Sequence, residues 1–379
     1  MEHTFWIWYP GDFELYHAMK QNFSRVERGF GWPAFWKSEG FRNRVAFRRT
    51  YELKQETSFT VFSNAIGHVL VTWENGEKKY PFGKKITAGP GKVKVSIHAG
   101  CVEAFPCAYV QGEVIHSDKT WMAEDYSQPL VPVGVCKYFT KPEQKPTVWE
   151  YTEKECKPVK ISEINGGVLA EFETELTAAV YVKDKRKAAL EKEKQKVVKN
   201  IENCYEGNAE EISDAGKCRR ESGSGDNCDV LEVFCGESED EALDLEHCYY
   251  SWQPDPVTNR CPCCAVRFAF IPNCKAEDVE ITAFYQYVDF PKRASFKCSD
   301  KKLNKIWEVA EHTFRLCSGI FFLDGVKRDK WIWSGDAYQS FFVNQYLLAD
   351  PDIDQRTLLA LRGNDPMTRH INTIMDYSL

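Results

Sequence analysis

Short segments in which apolar and polar residues alternate dominate residues 40–180 and most constrain the fold. In the clearest of them, Val93, Val95 and Ile97 alternate with polar residues, including Ser96. A period of two is typical of a strand with one buried face. Turn signals such as Gly89-Pro90-Gly91 separate these segments. Several short strands at this spacing predict an N-terminal β-sandwich.

The pattern changes to helical spacing after residue 296. Ser299 is predicted to be the N-cap of the first helix, with Asp300 in its first turn. A second helix is predicted over residues 338–348, and Asp350 should cap a third that begins at Pro351. A core position is expected for Trp307 and Phe314 of the first helix, which belong to one apolar stripe: Leu303, Ile306, Trp307, Ala310, Phe314 and Cys317.

Between these regions the sequence predicts a mixed segment. Residues 183–204 are typical of a solvated, charged helix, and residues 206–228 of a loop. Strands return at residues 265–271 and 279–290. Three domains are therefore predicted. Residues 1–180 form an N-terminal β-sandwich, which is a candidate carbohydrate-binding module. Residues 181–295 contain a charged helix and Cys-rich insertion with strands of a second sandwich, and residues 296–379 form a helical domain.

Composition argues against several functional classes. The formal net charge is −7 and no basic stripe is visible, so a nucleic-acid partner is not expected. No stretch is long and apolar enough to span a membrane. No secretory signal follows Met1, which predicts a cytoplasmic protein whose 15 cysteines are mostly reduced thiols. Aromatic residues reach 14%, which fits either a sugar-binding protein or an aromatic-rich core.

Residues 322–340 carry the strongest functional signal. They place Asp324, Asp329 and Asp336 beside Trp331 and Trp333. Carboxylates suit glycosidic oxygens and sugar hydroxyls, whereas indoles suit the flat C–H faces of a pyranose. Crowding of carboxylates in one loop also favours keeping one of them protonated, as a general acid requires. The alternative is a solvated surface loop whose tryptophans cover the core.

The three aspartates, at offsets of five and twelve with an aromatic residue before the last, resemble the acidic signature of bacterial α-L-rhamnosidases. These are inverting enzymes of glycoside hydrolase family 78. The resemblance covers roughly residues 265–379, and Trp6–Glu14 is similar to the start of one branch of the family. The segments that carry it are Ser299-Asp300, residues 303–307, Phe322-Leu323-Asp324-Gly325, Trp333-Ser334-Gly335-Asp336-Ala337, Arg356-Thr357-Leu358 and residues 370–377.

The resemblance implies roles for particular side chains. Asp329 falls where the family usually has a glutamate as general acid, and Asp336 is the alternative acid. No metal or cofactor is expected. The residues expected to hold the sugar are Asp324, Arg328, Trp331 and Trp333. His370 is a further candidate, for which a structural role is the favoured alternative.

The resemblance also implies a fold, namely N-terminal β-sandwich modules followed by the first helices of an (α/α)6 barrel. The family's catalytic base is a glutamate in the second half of that barrel, so the sequence is expected to be a fragment without its base. The expected substrates are rhamnose-containing oligosaccharides, polysaccharides or glycosides. Two alternatives stay open: a carbohydrate-binding protein without turnover, and an (α/α)6 glycosidase with another sugar specificity.

A second candidate sugar-binding edge lies in the N-terminal region, between Gly112 and Tyr126. Polar and aromatic residues cluster there, as in galactose-binding-like modules, although ordinary loop composition is the favoured explanation. The residues concerned are Glu113, His116, Asp118, Trp121 and Asp125.

Overall fold

The computed structural model of the chain describes residues 4–23, 41–127, 129–186, 231–327 and 330–362. The predicted helix over 183–204 and the predicted loop over 206–228 lie almost wholly outside these ranges. The described residues are mostly β-sheet with few helices. They form two compact units, one of Met1–Tyr151 with Val288–Leu379 and the other of Thr152–Tyr287.

The first unit contains two antiparallel sheets. One has the strand order β1 (Ile7–Trp8), β8 (Cys107–Gly112), β3 (Thr57–Ser63) and β6 (Lys85–Ala88). The other has the order β10 (Val131–Pro132), β9 (Met122–Glu124), β2 (Arg44–Leu53), β7 (Gly91–Gly100), β4 (Ile66–Trp73) and β5 (Gly76–Tyr80).

Side chains from both of these sheets form one core. Val61 of β3 and Val110 of β8 pack in it with Val93, Val95 and Ile97 of β7, and all five are fully buried. The alternation predicted for β7 is therefore confirmed for its apolar face. Ser96 on the opposite face is buried as well (2% exposed), whereas Lys94 on the same face is exposed.

The helices of the first unit are α1 (Asp12–Phe23), α3 (Lys301–Leu316), α4 (Ser334–Leu347) and α5 (Pro351–Arg362). α1 contacts α5, and α4 contacts α5. Two small clusters hold them to the chain around residue 321. One contains Ala18, Phe321, Ile332, Ala337, Ala360 and Leu361, and the other Val288, Phe290, Phe322, Leu347, Leu348 and Ile353.

The helix boundaries differ from the prediction at two places. Asp300, not Ser299, is the N-cap of α3, because its Oδ1 accepts hydrogen bonds from the backbone nitrogens of Lys302 (2.7 Å) and Leu303 (3.4 Å). α4 begins at Ser334, one turn before the predicted start at residue 338. The prediction that Asp350 caps the third helix is confirmed, because its Oδ1 accepts from the Asp352 nitrogen at 3.0 Å.

The apolar stripe predicted on α3 is only partly buried. Trp307 and Phe314 pack against the cluster that contains Phe322. Leu303 and Ile306 are 48% and 54% exposed, and no residue of α3 is fully buried among the described residues. The packing expected of Trp307 and Phe314 is therefore observed, whereas the Leu303 and Ile306 side of the stripe faces solvent.

The second unit is a seven-stranded antiparallel sheet. Its order is β11 (Thr152–Cys156), β17 (Val279–Tyr287), β13 (Gly167–Asp184), β16 (Cys264–Pro272), β14 (Val233–Gly236) and β15 (Tyr250–Trp252), with β12 (Lys160–Ile164) pairing with β13. A short helix, α2 (Glu239–Leu243), and a 3₁₀ turn (Ala276–Asp278) connect its strands.

The strands of this unit match the sequence prediction closely. Those predicted over 265–271 and 279–290 correspond to β16 and to β17, which ends three residues early, at Tyr287. β13 runs without a break across residue 180, where the sequence analysis places a domain boundary. The three-part domain division itself stays a prediction. None of the helices in the described ranges is both long and apolar enough to cross a membrane.

Candidate active site

The chain enters the predicted site loop along a path fixed by α5. Arg356 donates from Nε to the carbonyl of Ile320 at 2.8 Å. Thr357 Oγ1 accepts from the backbone nitrogen of Phe322 at 3.1 Å. Phe322 itself is 2% exposed. These contacts set the direction in which residues 322–340 leave the core.

Asp324 closes the loop that follows. Its backbone nitrogen donates to the carbonyl of Trp331 at 3.0 Å. Its Oδ1 accepts from the backbone nitrogens of Trp331 (2.9 Å) and Gly325 (2.8 Å). Asp324 is the residue predicted to hold sugar hydroxyls. One of its carboxylate oxygens therefore already accepts hydrogen bonds from the loop backbone.

Trp331 is buried beneath this loop. Its side chain is 1% exposed, and the next residue, Ile332, packs in the cluster that contains Ala18 of α1. Gln21 of α1 also donates from Nε2 to the carbonyl of Lys330 at 3.2 Å. In this structure the indole of Trp331 offers no open face to a sugar, and contact with a ligand would require the loop to move.

Trp333 and Asp336 lie at the start of α4. Trp333 is the half-buried N-cap residue, with extended backbone angles and no capping hydrogen bond from its side chain. Asp336 is exposed and lies in the first turn, where the helix dipole favours a carboxylate. The sequence analysis placed this acid in the loop; it lies on the helix instead, because α4 begins four residues earlier than predicted.

The remaining predicted site residues, Arg328, Asp329 and His370, lie outside the described residues. The structure thus joins Asp324 to Trp331 by hydrogen bonds and places Trp333 and Asp336 within one helical turn. It does not test the predicted role of any of these side chains in catalysis or binding.

A buried polar group next to the loop was missed by the sequence analysis. Asn344 of α4 donates from Nδ2 to the carbonyl of Asp350 (2.7 Å) and to Oδ1 of Asp354 (2.8 Å). Burial raises the pKa of Asp354 to about 6, and the hydrogen bond from Asn344 acts in the opposite direction. Asp350 also pairs with Lys137, a residue 213 positions away in sequence. No local spacing indicates such a pair.

The side chains of the second candidate edge, between Gly112 and Tyr126, mostly bind one another or the core. Trp121 is fully buried and donates from Nε1 to the His116 carbonyl at 2.9 Å. Asp118 accepts from Arg49 at 2.6 Å. Asp125 accepts from Arg42 at 2.8 Å. These contacts favour the ordinary structural interpretation of the segment over a sugar-binding edge.

The described part of the chain contains neither a metal-binding cluster nor a disulfide. Within it, no group of three or more His, Cys, Asp or Glu side chains is arranged to hold a metal ion. The twelve cysteines in the described ranges form no disulfide.

Comparison with known proteins gives matches at the level of structure. No protein-family model matches the chain, and no curated protein matches it. The α-L-rhamnosidase from Dictyoglomus thermophilum aligns with 84% of this chain and 40% of its own, at 13% identity and a TM-score of 0.33. The Klebsiella oxytoca rhamnosidase with rhamnose bound aligns with 56% and 44%, at 14% identity and a TM-score of 0.36.

A fungal protein gives a similar result. The α-L-rhamnosidase from Aspergillus terreus aligns with 86% of this chain and 42% of its own, at 11% identity and a TM-score of 0.33. The chain thus spans about two fifths of the length of the structures that it matches. At these low identities and TM-scores the similarities assign no role to any residue.

Proposed function

We propose that this chain belongs to a glycoside hydrolase of the inverting α-L-rhamnosidase type, which removes terminal α-L-rhamnose from glycosides or polysaccharides. The observation that carries the proposal is the segment of residues 322–340, which covers most of the loop between α3 and α4 and the first half of α4 and contains three aspartates and two tryptophans. A loop that joins two helices is where an (α/α)6 enzyme has its chemistry. In this proposal α3, α4 and α5 are the opening helices of such a barrel, and the two sheets of the first unit form a β-sandwich module.

The exposed apolar side chains of α3 are consistent with a barrel. Leu303, Ile306 and Val309 are each about half exposed, an arrangement that leaves apolar surface in water. A neighbouring barrel helix packed on this side would remove that surface from solvent.

The proposed chemistry begins with protonation of the glycosidic oxygen. Asp329 is the proposed general acid, and Asp336 the alternative. Asp324, Arg328 and His370 bind the sugar hydroxyls, and Trp333 lies against the pyranose ring. Trp331 supports this surface from below, as its burial suggests. In an inverting enzyme a second carboxylate activates water about 6.5–9.5 Å from the acid, and we assign no residue of this chain to that role.

A second candidate, a carbohydrate-binding protein without turnover, is favoured by one observation. His68 and His98 pair across β4 and β7 on the face opposite to their buried valine and isoleucine neighbours, with ring centroids 5.0 Å apart. Tyr126, which is 52% exposed, stacks on His98 at 6.2 Å and hydrogen-bonds its Nδ1 at 2.8 Å. Because these rings stack on one another at interplanar angles of 20° and 21°, a sugar in this candidate site would lie against the partly exposed ring of Tyr126.

Hydrolysis of p-nitrophenyl α-L-rhamnoside distinguishes the two candidates. The assay compares this chain with the protein from the longest reading frame that contains it. Release of nitrophenol by either supports the hydrolase. Binding of rhamnosides without release by either supports the carbohydrate-binding protein, and a panel of other nitrophenyl glycosides then tests a different sugar specificity.

A further inference from the structure

The first unit contains a cavity of about 450 Å³ that the proposed hydrolase does not use. Its wall is formed by the N-terminal part of α1, by the chain around β10 and by α5. The lining residues used below are Glu14, Lys137, Asp352, Gln355, Arg356 and Leu359. The volume lies within the range of roughly 300–1,000 Å³ that is usual for small-molecule sites.

Glu14, on one wall of this cavity, is a buried carboxyl. Its side chain is 5% exposed, and Oε2 has no hydrogen-bond partner among the described residues. Burial raises its pKa to about 7, against the opposing effects of nearby backbone N–H groups and Arg356. A buried carboxyl oxygen without a partner costs free energy unless a ligand or water satisfies it.

Arg356, on the facing helix, supplies a fixed donor. Its guanidinium donates from Nε to Ile320 at 2.8 Å and from Nη1 to Cys136 Sγ at 3.8 Å. It also lies 5.3 Å from the ring centroid of Trp149. Nη2 is buried and has no hydrogen-bond partner within the described ranges. The guanidinium is thus held on three sides with one NH₂ group unused.

We propose that this cavity binds a small neutral polyhydroxylated ligand of about monosaccharide size, with Glu14 as acceptor and Arg356 as donor. A hydroxyl group both donates and accepts, so two neighbouring hydroxyls satisfy both side chains at once. A carboxylate ligand would meet Arg356 but face Glu14 and Asp352. An amine would face Arg356 and Lys137. The mixed donor and acceptor character of the wall therefore selects hydroxyls.

This site goes beyond the proposed hydrolase and does not depend on it. None of the loop residues 322–340 is among those that line the cavity. A catalytically inactive loop would leave the cavity site unchanged, and an occupied cavity would not by itself show hydrolysis. The two claims can therefore fail separately.

The test is titration of the full chain with L-rhamnose, D-glucose and D-galactose by calorimetry, with hydrogen exchange to locate the site. At least one sugar should bind and slow exchange in residues 9–20 and 351–361. At pH 8, above the raised pKa of Glu14, Glu14→Gln should weaken binding at least about tenfold, since it replaces a charged acceptor with a neutral amide. The matched control Glu103→Gln, at an exposed position, should leave binding unchanged.

A second variant fills the cavity without altering the polar pair. Leu359→Trp adds bulk to the α5 wall and should abolish binding, while thermal unfolding reports whether both variants fold. Absence of binding by all three sugars would overturn the proposal. The proposal would also be overturned if Trp333→Ala removed binding while Glu14→Gln and Leu359→Trp left it intact. Tighter binding of acetate than of any sugar would overturn it as well.

Discussion

Asp324 and Trp331 exchange two hydrogen bonds across the predicted site loop. The Asp324 nitrogen donates to the Trp331 carbonyl at 3.0 Å, and the Asp324 carboxylate accepts from the Trp331 nitrogen at 2.9 Å. The aspartate thus replaces a backbone carbonyl as the acceptor of one bond. The loop between them, which includes Arg328 and Asp329, is closed at its base by these contacts.

Removal of the Asp324 carboxylate should destabilise the loop at the point where Asp324 and Trp331 meet. Asp324→Ala leaves the Trp331 N–H without its acceptor, and we expect a loss of about 1–3 kcal/mol in the free energy of unfolding, measured in urea. Asp324→Asn retains Oδ1 and should lose less. Asp289→Ala, at an exposed position, is the control. Equal stability of Asp324→Ala and wild type would show that the loop does not depend on this carboxylate.

The two tryptophans of the loop should respond differently to truncation. Trp331 is 1% exposed and Trp333 half-buried, so Trp331→Ala should cost about 3–5 kcal/mol of stability and Trp333→Ala clearly less. In the active protein Trp333→Ala should instead raise KM with little change in kcat. An unchanged KM would make Trp333 a packing residue.

Glu14 should make the protein less stable as the pH rises. Burial raises its pKa from 4.5 to about 7. Below about pH 4.5 the carboxyl is protonated in both folded and unfolded chains. Between pH 4.5 and 7 the unfolded chain releases the proton and the folded chain keeps it, so stability falls by roughly 3 kcal/mol and stays lower above pH 7.

Glu14→Gln does not titrate at this position and should abolish that fall. Urea unfolding at several pH values between 4 and 8 measures it. The variant should match the wild type near pH 4 and exceed it near pH 8. If the variant and the wild type show the same change in stability between pH 4 and pH 8, the assignment to Glu14 is contradicted.

His17, one turn further along α1, should have the opposite effect. Its Nε2 hydrogen-bonds the Pro146 carbonyl at 2.7 Å, and burial lowers its pKa from 6.5 to about 4. As the pH falls from 6.5 to 4, the unfolded chain binds a proton that the folded chain does not. The contribution of His17 to stability should therefore fall by roughly 3 kcal/mol over this window, which offsets the opposite contribution of Glu14 in the wild type.

His17→Gln should remove this contribution, so that the variant gains roughly 3 kcal/mol of stability relative to the wild type between pH 7 and pH 4, as judged by urea unfolding. His247→Gln, whose parent side chain is 72% exposed, is the matched control and should keep the wild-type dependence. If both variants retain it equally, His17 does not make this contribution.

The features predicted correctly from the sequence depend on local pattern. The buried valines of β7 follow from a period of two, and Asp350 caps α5 because a proline comes directly after it. The start of α4 was missed because Trp333 gives no capping signal. Features that depend on distant pairs were not visible: Lys137 meets Asp350, and Gln21 meets the carbonyl of Lys330. The burial of Trp331 likewise depends on how the loop packs onto the core, which its spacing from the aspartates does not indicate.

The most direct test of the central claim is the dependence of Asp329→Asn on the leaving group, in the protein from the longest reading frame that contains these 379 residues. A general acid matters most when the leaving group is a poor one. The account predicts a loss of about 100-fold or more in kcat/KM on methyl α-L-rhamnoside, and a much smaller loss on the dinitrophenyl rhamnoside. Full activity of Asp329→Asn on both substrates would contradict the account, whether the loss on the methyl rhamnoside then appears in Asp336→Asn or in neither variant.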